Sequence, residues 1–446
     1  MRTIIVGGSH AGITAAKTLK KIAPEMDVVV LEKTSTVSFV ASSINLYLKG
    51  ELADLAAGSV DTPEEIRALE IHLVLNATAT KIDPAKQTVT YKEHTPAKVE
   101  LQTLSYDYLI LALGSSQFTL PFHSKKIAEQ VLTYKNLAES QQVLQKISDA
   151  QDITIIGSGY IGVELAEALS TQAKKIRILE RMDTLLFRYY DKEPARQISQ
   201  RMPKNVQLKL DTPVLDINST AKKLTVVTPL ESFKTDLVIY AVNARPNSQL
   251  VKDQLDLDAD GTVKVNDYLQ TSDEKIYAIG DLISVPVAGD ERRYVPLVSG
   301  AIITGTLAAE NIVFGNRRIF KPMQRTTMSV VWGLYIGSTG FTEDQAPYYN
   351  LTTIAVEKEF TDHGFNERTG KKLWLKLVFE KNSQRLIGGQ LLSEFEETSL
   401  INLISMLIEQ KSTVQDILEA EYYFSPLLAR KSHYLRDLAL LALTKF

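Results

Sequence analysis

Two stretches of the chain carry the same order of apolar and polar positions. Residues 2–33, RTIIVGGSHAGITAAKTLKKIAPEMDVVVLEK, and 153–181, ITIIGSGYIGVELAEALSTQAKKIRILER, each run from an apolar strand through a glycine turn and an amphipathic helix to a second apolar strand and an acidic residue. Each predicts a βαβ unit. Between them YDYLILALGSS (106–116) reads as a buried strand closed by a glycine turn. After the second unit, LTVVTPL, DLVIYAVNARPN and KIYAIGDLISVPV are β-rich runs ended by turn residues, and helical periodicity returns in VSGAIITGTLAAENIVFG (298–315).

From about residue 322 the pattern changes to aromatic and β-branched strands, KLWLKLVFE and RLIGGQLL, followed by helical ETSLINLISMLIEQ and RKSHYLRDLALLAL. This predicts a separate α+β module. The run ISDAQD (147–152) and the turn Arg245-Pro246-Asn247 mark the crossings into and out of the second unit. The expected organisation is α/β: two Rossmann-like dinucleotide-binding domains, the first built from 1–150 and 248–321 and the second from 151–247, with a C-terminal α+β domain over 322–446.

Composition narrows the chemistry. The chain has 446 residues, 44% hydrophobic and 23% charged, with a net charge of −3 and a pI near 6.2. These values suit a folded globular protein and give no electrostatic case for nucleic acid or anionic lipid. Met1 leads straight into a strand-like run, and no stretch approaches the length of a membrane span, so a cytoplasmic protein without stable membrane association is expected. There is no cysteine, which removes disulfides, thiolate metal sites and sulfenate chemistry together. His10, His72, His94, His123, His363 and His433 are scattered without ligand spacing, and no metal is expected.

The glycine turns have the spacing that a pyrophosphate requires. In Gly7-Gly8-Ser9-His10-Ala11-Gly12, Gly7 permits the tight turn, Gly12 permits close helix–strand packing, and Ser9 replaces the usual middle glycine with another small residue. Glu32 ends the second strand 25 positions after Gly7, where a carboxylate can accept hydrogen bonds from a ribose. Gly157-Ser158-Gly159-Tyr160-Ile161-Gly162 is a complete GxGxxG, and Glu180 follows Gly157 by 23 positions. A carboxylate there favours NADH over NADPH, a preference that the neighbouring Arg181 softens.

With these motifs in order, the chain resembles the two-dinucleotide flavoprotein disulfide reductases, and within them the branch of NADH oxidases, NADH peroxidases and coenzyme A disulfide reductases. The resemblance runs through GGSHAG, the SFxxxxxxLYLxG loop, the ALG turn at Ala112 to Gly114, GSGYIGVELAEA, AxxxRPN at Ala241 to Asn247, YAIGD at Tyr277 to Asp281, and EYYFSP at Glu421 to Pro426. It implies FAD on Gly7, Gly8, Ser9, His10, Ala11, Gly12, Glu32, Lys33, Ser42, Ala112, Gly114, Lys135, Gly280, Asp281, Pro296, Leu297 and Val298. It implies NADH on Gly157, Gly159, Tyr160, Ile161, Gly162, Glu164, Glu180, Arg181, Tyr189 and Asn243, with Tyr160 swinging to admit nicotinamide. It also implies a homodimer formed through the C-terminal module.

One loop departs from the pattern. The branch usually reads SF-x-x-Cys-Gly, whereas this chain has Ala41, Ser42 and Ser43. A single introduced Cys→Ser change would have left the glycine, so the loss reads as natural. Serine has no sulfenate-like oxidation state and is a weak nucleophile without an activating base, and no GxSxG elbow surrounds Ser42. Hydride transfer to FAD should survive, because the cofactors carry it. The expected activity is a NADH oxidase or dehydrogenase that passes two electrons to oxygen and forms hydrogen peroxide.

Two rival readings are a reductase of a quinone, metal complex or small redox protein, and a flavin-binding sensor or scaffold with negligible turnover. His10 is either a group that steers protons beside Ser42 or an inherited first-turn residue. Asn243 replaces a turn glycine beside the NADH site, and the cluster Tyr422, Tyr423, Phe424 and Pro426 reads as core or interface.

Overall fold

The computed structural model describes residues 1–95, 98–117, 127, 130–219, 223–242, 244–287, 291–361, 370–424 and 432–446. The chain gathers into two compact units, one of residues 1–120, 133–148 and 243–322, the other of 121–132, 149–242 and 323–446.

The first unit is organised by a parallel sheet of five strands in the order Ile276–Ala278, Tyr108–Leu111, Arg2–Val6, Asp27–Leu31, His72–Val74. Its central strands are β-branched and buried almost throughout, as befits a sheet covered on both faces. Helix His10–Ile22 buries Ala11, Gly12, Ile13, Ala15, Ala16 and Leu19 and lies along helix Val298–Phe314. The two helices approach closely because Gly305 has no side chain: a Cβ there would stand 2.5 Å from the Ala11 carbonyl oxygen.

The second unit repeats this plan. Its parallel sheet runs Val206–Lys209, Lys175–Leu179, Asp152–Ile156, Leu237–Tyr240, Val131–Leu132. In both units a three-stranded antiparallel meander precedes the strand that pairs with the free side of the first βαβ strand: Ala77–Asp83, Thr88–His94 and Val99–Ser105 before Tyr108–Leu111 in the first, Asp216–Ser219, Leu224–Val227 and Ser232–Thr235 before Leu237–Tyr240 in the second. The fold is thus α/β with an internal duplication, as the paired patterns predict.

The second unit also holds a five-stranded antiparallel sheet, Thr327–Val331, Leu334–Gly340, Leu386–Ser393, Lys372–Glu380, Thr353–Thr361. In strand Lys372–Glu380, Leu373, Leu375, Leu377 and Phe379 face a core shared with helices Thr398–Glu409, Val414–Glu419 and Tyr434–Leu443. Trp374, on the opposite face, joins Leu392, Val331 and Ile336 in a core with Val163, Leu186 and Tyr190. That arrangement explains why KLWLKLVFE is apolar nearly throughout instead of alternating.

Two stretches differ from their sequence reading. DLVIYAVNARPN, read as one β-run, splits into strand Leu237–Tyr240 of the second unit's sheet and strand Ala244–Pro246, which pairs antiparallel with Ser115–Gln117 in the first unit. ISDAQD is partly helical, because helix Leu137–Asp149 runs through its first half before strand Asp152–Ile156 begins.

Candidate active site

In the first unit the turn after strand Arg2–Val6 is shaped by what cannot fit there. Gly7 has φ of +111°, and a Cβ on it would stand 2.1 Å from the Ala112 carbonyl oxygen. The helix that follows begins at His10, with Ser9 in an extended cap position that makes no side-chain cap bond and with no acidic residue in the first turn. Its leading amides are therefore open to an anion. Glu32, 7% exposed, fastens this turn: one carboxylate oxygen accepts from Gly8 N at 2.6 Å, the other from Thr34 N and Oγ1 at 2.8 Å each. Lys33 is exposed beside it.

The returning segment meets the same turn. Gly280 has φ of +66°, and a Cβ on it would come within 2.9 Å of Ala11 Cβ, so Asp281 is delivered next to the helix N-terminus. Asp281 accepts from Ser115 Oγ at 2.7 Å and faces Lys135 Nζ at 3.3 Å, while Lys135 also bonds Ser115. Gly114, φ +65°, turns the chain into Ser115. Pro296 and Leu297 lead into helix Val298–Phe314, whose N-terminus also lacks a side-chain cap. The sequence reading named Asp281 and Lys135 but missed Ser115 and Tyr294, whose phenol is held well above its usual range by burial and then by Asp281.

His10 is the first residue of its helix. Its Nδ1 lies 3.2 Å from Ser9 Oγ, and its Nε2 is buried with no hydrogen-bond partner among the described residues. The ring borders an open cavity of about 550 Å³ lined also by Thr14, Lys17, Ser38, Val40 and Asp61. Burial holds its pKa below the ordinary 6.5, against the opposing pull of Asp281 and Asp61, so the ring is neutral at pH 7.

This has a stability consequence. The unfolded chain protonates His10 near 6.5 while the folded chain does so only at lower pH, so stability is fully present above 6.5 and falls as pH drops through the folded value. His433, lowered by burial and then by Arg436, acts in the same direction. Urea midpoints of the protein freed of flavin are expected to fall between pH 7 and pH 5, with His10 contributing at most about 1.4 kcal/mol per pH unit, and His10→Gln should flatten the slope. A slope unchanged by His10→Gln would remove this residue from the account.

In the loop VSFVASSINLYLKG, Ser42 is the exposed cap residue of helix Ser43–Lys49 and makes no cap bond. The buried hydroxyl belongs to Ser43, 4% exposed, whose Oγ has no partner among the described residues. Gly58 makes room for it, since a Cβ there would lie 2.1 Å from Ser43 Oγ. The second serine of the pair is thus accommodated by a glycine 15 positions away.

The second unit builds a parallel turn. Gly157 has φ of +104°, with the Ala241 carbonyl 2.8 Å from where its Cβ would be, and a Cβ on Gly162 would lie 2.1 Å from the Gly157 carbonyl. Gly159 is different: its φ is −69°, and a Cβ there would meet nothing within 4 Å. Neither backbone strain nor packing within this unit requires glycine at that place. Helix Tyr160–Ser170 starts there with no cap bond and no acidic first turn. Glu180 accepts from Ser158 N and Oγ at 2.8 Å each and from Met182 N at 2.9 Å, the counterpart of Glu32. Arg181 and Ile161 are exposed.

The Tyr160 hydroxyl lies 3.0 Å from that of Tyr190, and its ring packs edge-on against Tyr189 with centroids 4.8 Å apart. Burial pushes its phenol pKa up. In the C-terminal module Tyr423 and Phe424 are 72% and 64% exposed, while Tyr422 stacks on His433 at 4.1 Å. Asn243 and Pro426 lie outside the described residues. Among the described residues no group of three or more His, Asp or Glu side chains is arranged to hold a metal, and no helix is long and apolar enough to cross a membrane.

Two family models account for nearly the whole chain. Residues 1–305 match the pyridine nucleotide-disulphide oxidoreductases, and residues 327–434 match the dimerisation domain of the same family. The chain belongs to the pyridine nucleotide-disulphide oxidoreductases. It is therefore an oxidoreductase. Over 99% of both chains it is 32% identical to an NADH oxidase of Enterococcus faecalis. It is 28% identical to a CoA-dependent NAD(P)H sulfur oxidoreductase of Pyrococcus abyssi, over 95% of this chain and 94% of that one. The solved structure of the water-forming NADH oxidase from Lactobacillus brevis bound to NADH superposes with a TM-score of 0.93 at 30% identity, covering 100% of this chain and 98% of that one. This chain has no cysteine at all.

Proposed function

We propose that this pyridine nucleotide-disulphide oxidoreductase is a NADH oxidase whose product is hydrogen peroxide, acting as a cytoplasmic homodimer. The observation that carries the reading is the absence of any thiol from a chain in which both nucleotide turns are intact.

FAD is assigned to the first unit. The uncapped helix at His10 and the open amides around it suit the pyrophosphate, Glu32 suits the adenosine ribose, and the Ser115–Lys135–Asp281 cluster suits the ribityl chain. NADH is assigned to the second turn, where Gly159 leaves the close approach that a pyrophosphate needs. Glu180 already orders that turn through Ser158, and its carboxylate disfavours a 2′-phosphate, so NADH is preferred to NADPH. Held by these residues, FAD would supply the chemistry of hydride acceptance from NADH and two-electron delivery to an acceptor.

The described residues bind and orient, and the chain has no cysteine to store an oxidising equivalent. Ser42 is exposed and makes no cap bond, and the neutral His10 ring has a buried Nε2 without a hydrogen-bond partner among the described residues, available to a proton or a ligand's hydrogen bond. The balance with oxygen is then NADH + H⁺ + O₂ → NAD⁺ + H₂O₂. The test is anaerobic reduction by NADH, followed by reoxidation with oxygen or with a quinone. Rapid bleaching and return of the flavin colour in oxygen are expected, and Ser42→Ala should leave both rates within about twofold, because removing a solvated hydroxyl leaves no buried partner unmet. Turnover with quinone far above that with oxygen would overturn the assignment of oxygen as acceptor.

A further inference from the structure

The residues assigned above to the nicotinamide end of the NADH site do not stand on their own helix alone. Tyr160 and Glu164 are one turn apart on helix Tyr160–Ser170, and so share a face. Thr327 and Ser329 are two apart on strand Thr327–Val331, the first strand of the C-terminal sheet, and so share a face as well. The two spacings match. Thr327 Oγ1 donates to the Tyr160 hydroxyl at 3.1 Å, and Ser329 Oγ donates to Glu164 Oε1 at 2.6 Å.

Tyr160 is tied further. Thr327 Oγ1 lies 3.0 Å from Ser338 Oγ on the neighbouring strand, and the Tyr160 hydroxyl lies 3.0 Å from that of Tyr190, giving a row of four hydroxyls, Ser338, Thr327, Tyr160 and Tyr190. Tyr190 and Ser338 are buried, at 1% and 4% exposure. A tyrosine ring with its hydroxyl held on two sides and its body packed edge-on with Tyr189 has a set resting orientation.

We infer that Thr327 and Ser329 are positioning residues for hydride transfer: the C-terminal module sets where Tyr160 and Glu164 stand when nicotinamide arrives. This rests on the assignment of NADH to the second unit. A hydrogen bond to a carboxylate contributes more than one between neutral hydroxyls, and small displacements of a binding group are costly to a hydride transfer. The Ser329 contact therefore dominates.

The test is stopped-flow anaerobic reduction of the FAD-loaded enzyme by NADH, with oxygen reoxidation measured separately. Ser329→Ala is expected to raise the half-saturating NADH concentration about tenfold and Thr327→Val about threefold, with reoxidation rate and FAD content unchanged. Ser329→Thr and Thr327→Ser, which keep the hydroxyls, should restore the wild-type value within about twofold. Wild-type half-saturation in both hydroxyl-less variants, while Glu164→Gln is impaired, would overturn the inference and leave the NADH assignment standing. Equal losses in the hydroxyl-keeping variants would also overturn it, by showing a packing role alone. If Glu164→Gln and Gly159→Asp both behave as wild type, the assignment of the NADH site itself fails.

Discussion

Gly159→Asp is expected to raise the NADH concentration needed to half-reduce the flavin by about 30-fold or more, while the protein stays as stable as the wild type or becomes slightly more so. The two effects have opposite signs because the residue is an N-cap in extended geometry, φ −69° and ψ 178°, on a helix with no other cap. Aspartate in that position accepts from the first-turn amides and complements the helix dipole, which adds a few tenths of a kcal/mol or somewhat more. The same carboxylate occupies the anion site. Two like charges 4 Å apart repel by about 4 kcal/mol at an effective dielectric constant near 20, and half of that, about 2 kcal/mol, is about 30-fold in affinity.

FAD content should not change, since the first turn is a separate site. A loss of stability in step with the loss of NADH binding would mean that Gly159 is a structural glycine. Unchanged NADH binding would mean that the pyrophosphate does not sit there.

Lys376→Met is the substitution expected to cost the most stability. Lys376 and Asp191 are 7% and 4% exposed, and the ammonium lies 2.8 Å from Asp191 Oδ2 and 2.6 Å from Glu343 Oε2. Methionine fills similar volume but leaves the Asp191 carboxylate buried without its cation. Breaking such a pair from one side typically costs 3–5 kcal/mol. The lower end, about 3 kcal/mol, is expected here, because Asp191 keeps Gln390 Nε2 at 2.6 Å and Asp344 N at 2.9 Å as donors.

The double change Asp191→Asn with Lys376→Met removes the stranded charge and should recover more than half of the loss in the urea midpoint of the unit that contains both residues. A single variant within about 0.5 kcal/mol of wild type, the usual range for surface substitutions, would show that the pair adds little to the folded state.

How much of this was readable in the sequence follows from the range of the interactions. The two βαβ units were legible because buried parallel strands and positive-φ glycines leave local marks, and Gly7, Gly157 and Gly280 all have positive φ. Helix Val298–Phe314 was legible to its end because Gly315, φ +72°, closes it. The splitting of DLVIYAVNARPN was not, since β-branched residues read alike whichever sheet receives them.

Side-chain partnerships across long sequence distances left no local pattern either. Ser115 meets Asp281 over 166 positions, and Ser329 meets Glu164 over 165. A serine or threonine in a strand looks like any other until its partner is in place. In the loop VSFVASSINLYLKG the sequence drew attention to Ser42, while the hydroxyl taken into the interior is that of Ser43, fitted over Gly58.

The central claim is that a member of this family without a thiol stops at two electrons per oxygen. The direct measurement is a catalase-free assay that follows NADH, dissolved oxygen and peroxide together with the purified FAD-loaded enzyme. One oxygen consumed and one hydrogen peroxide formed for each NADH is the predicted result; half an oxygen per NADH with no peroxide, the balance of water formation, would contradict it.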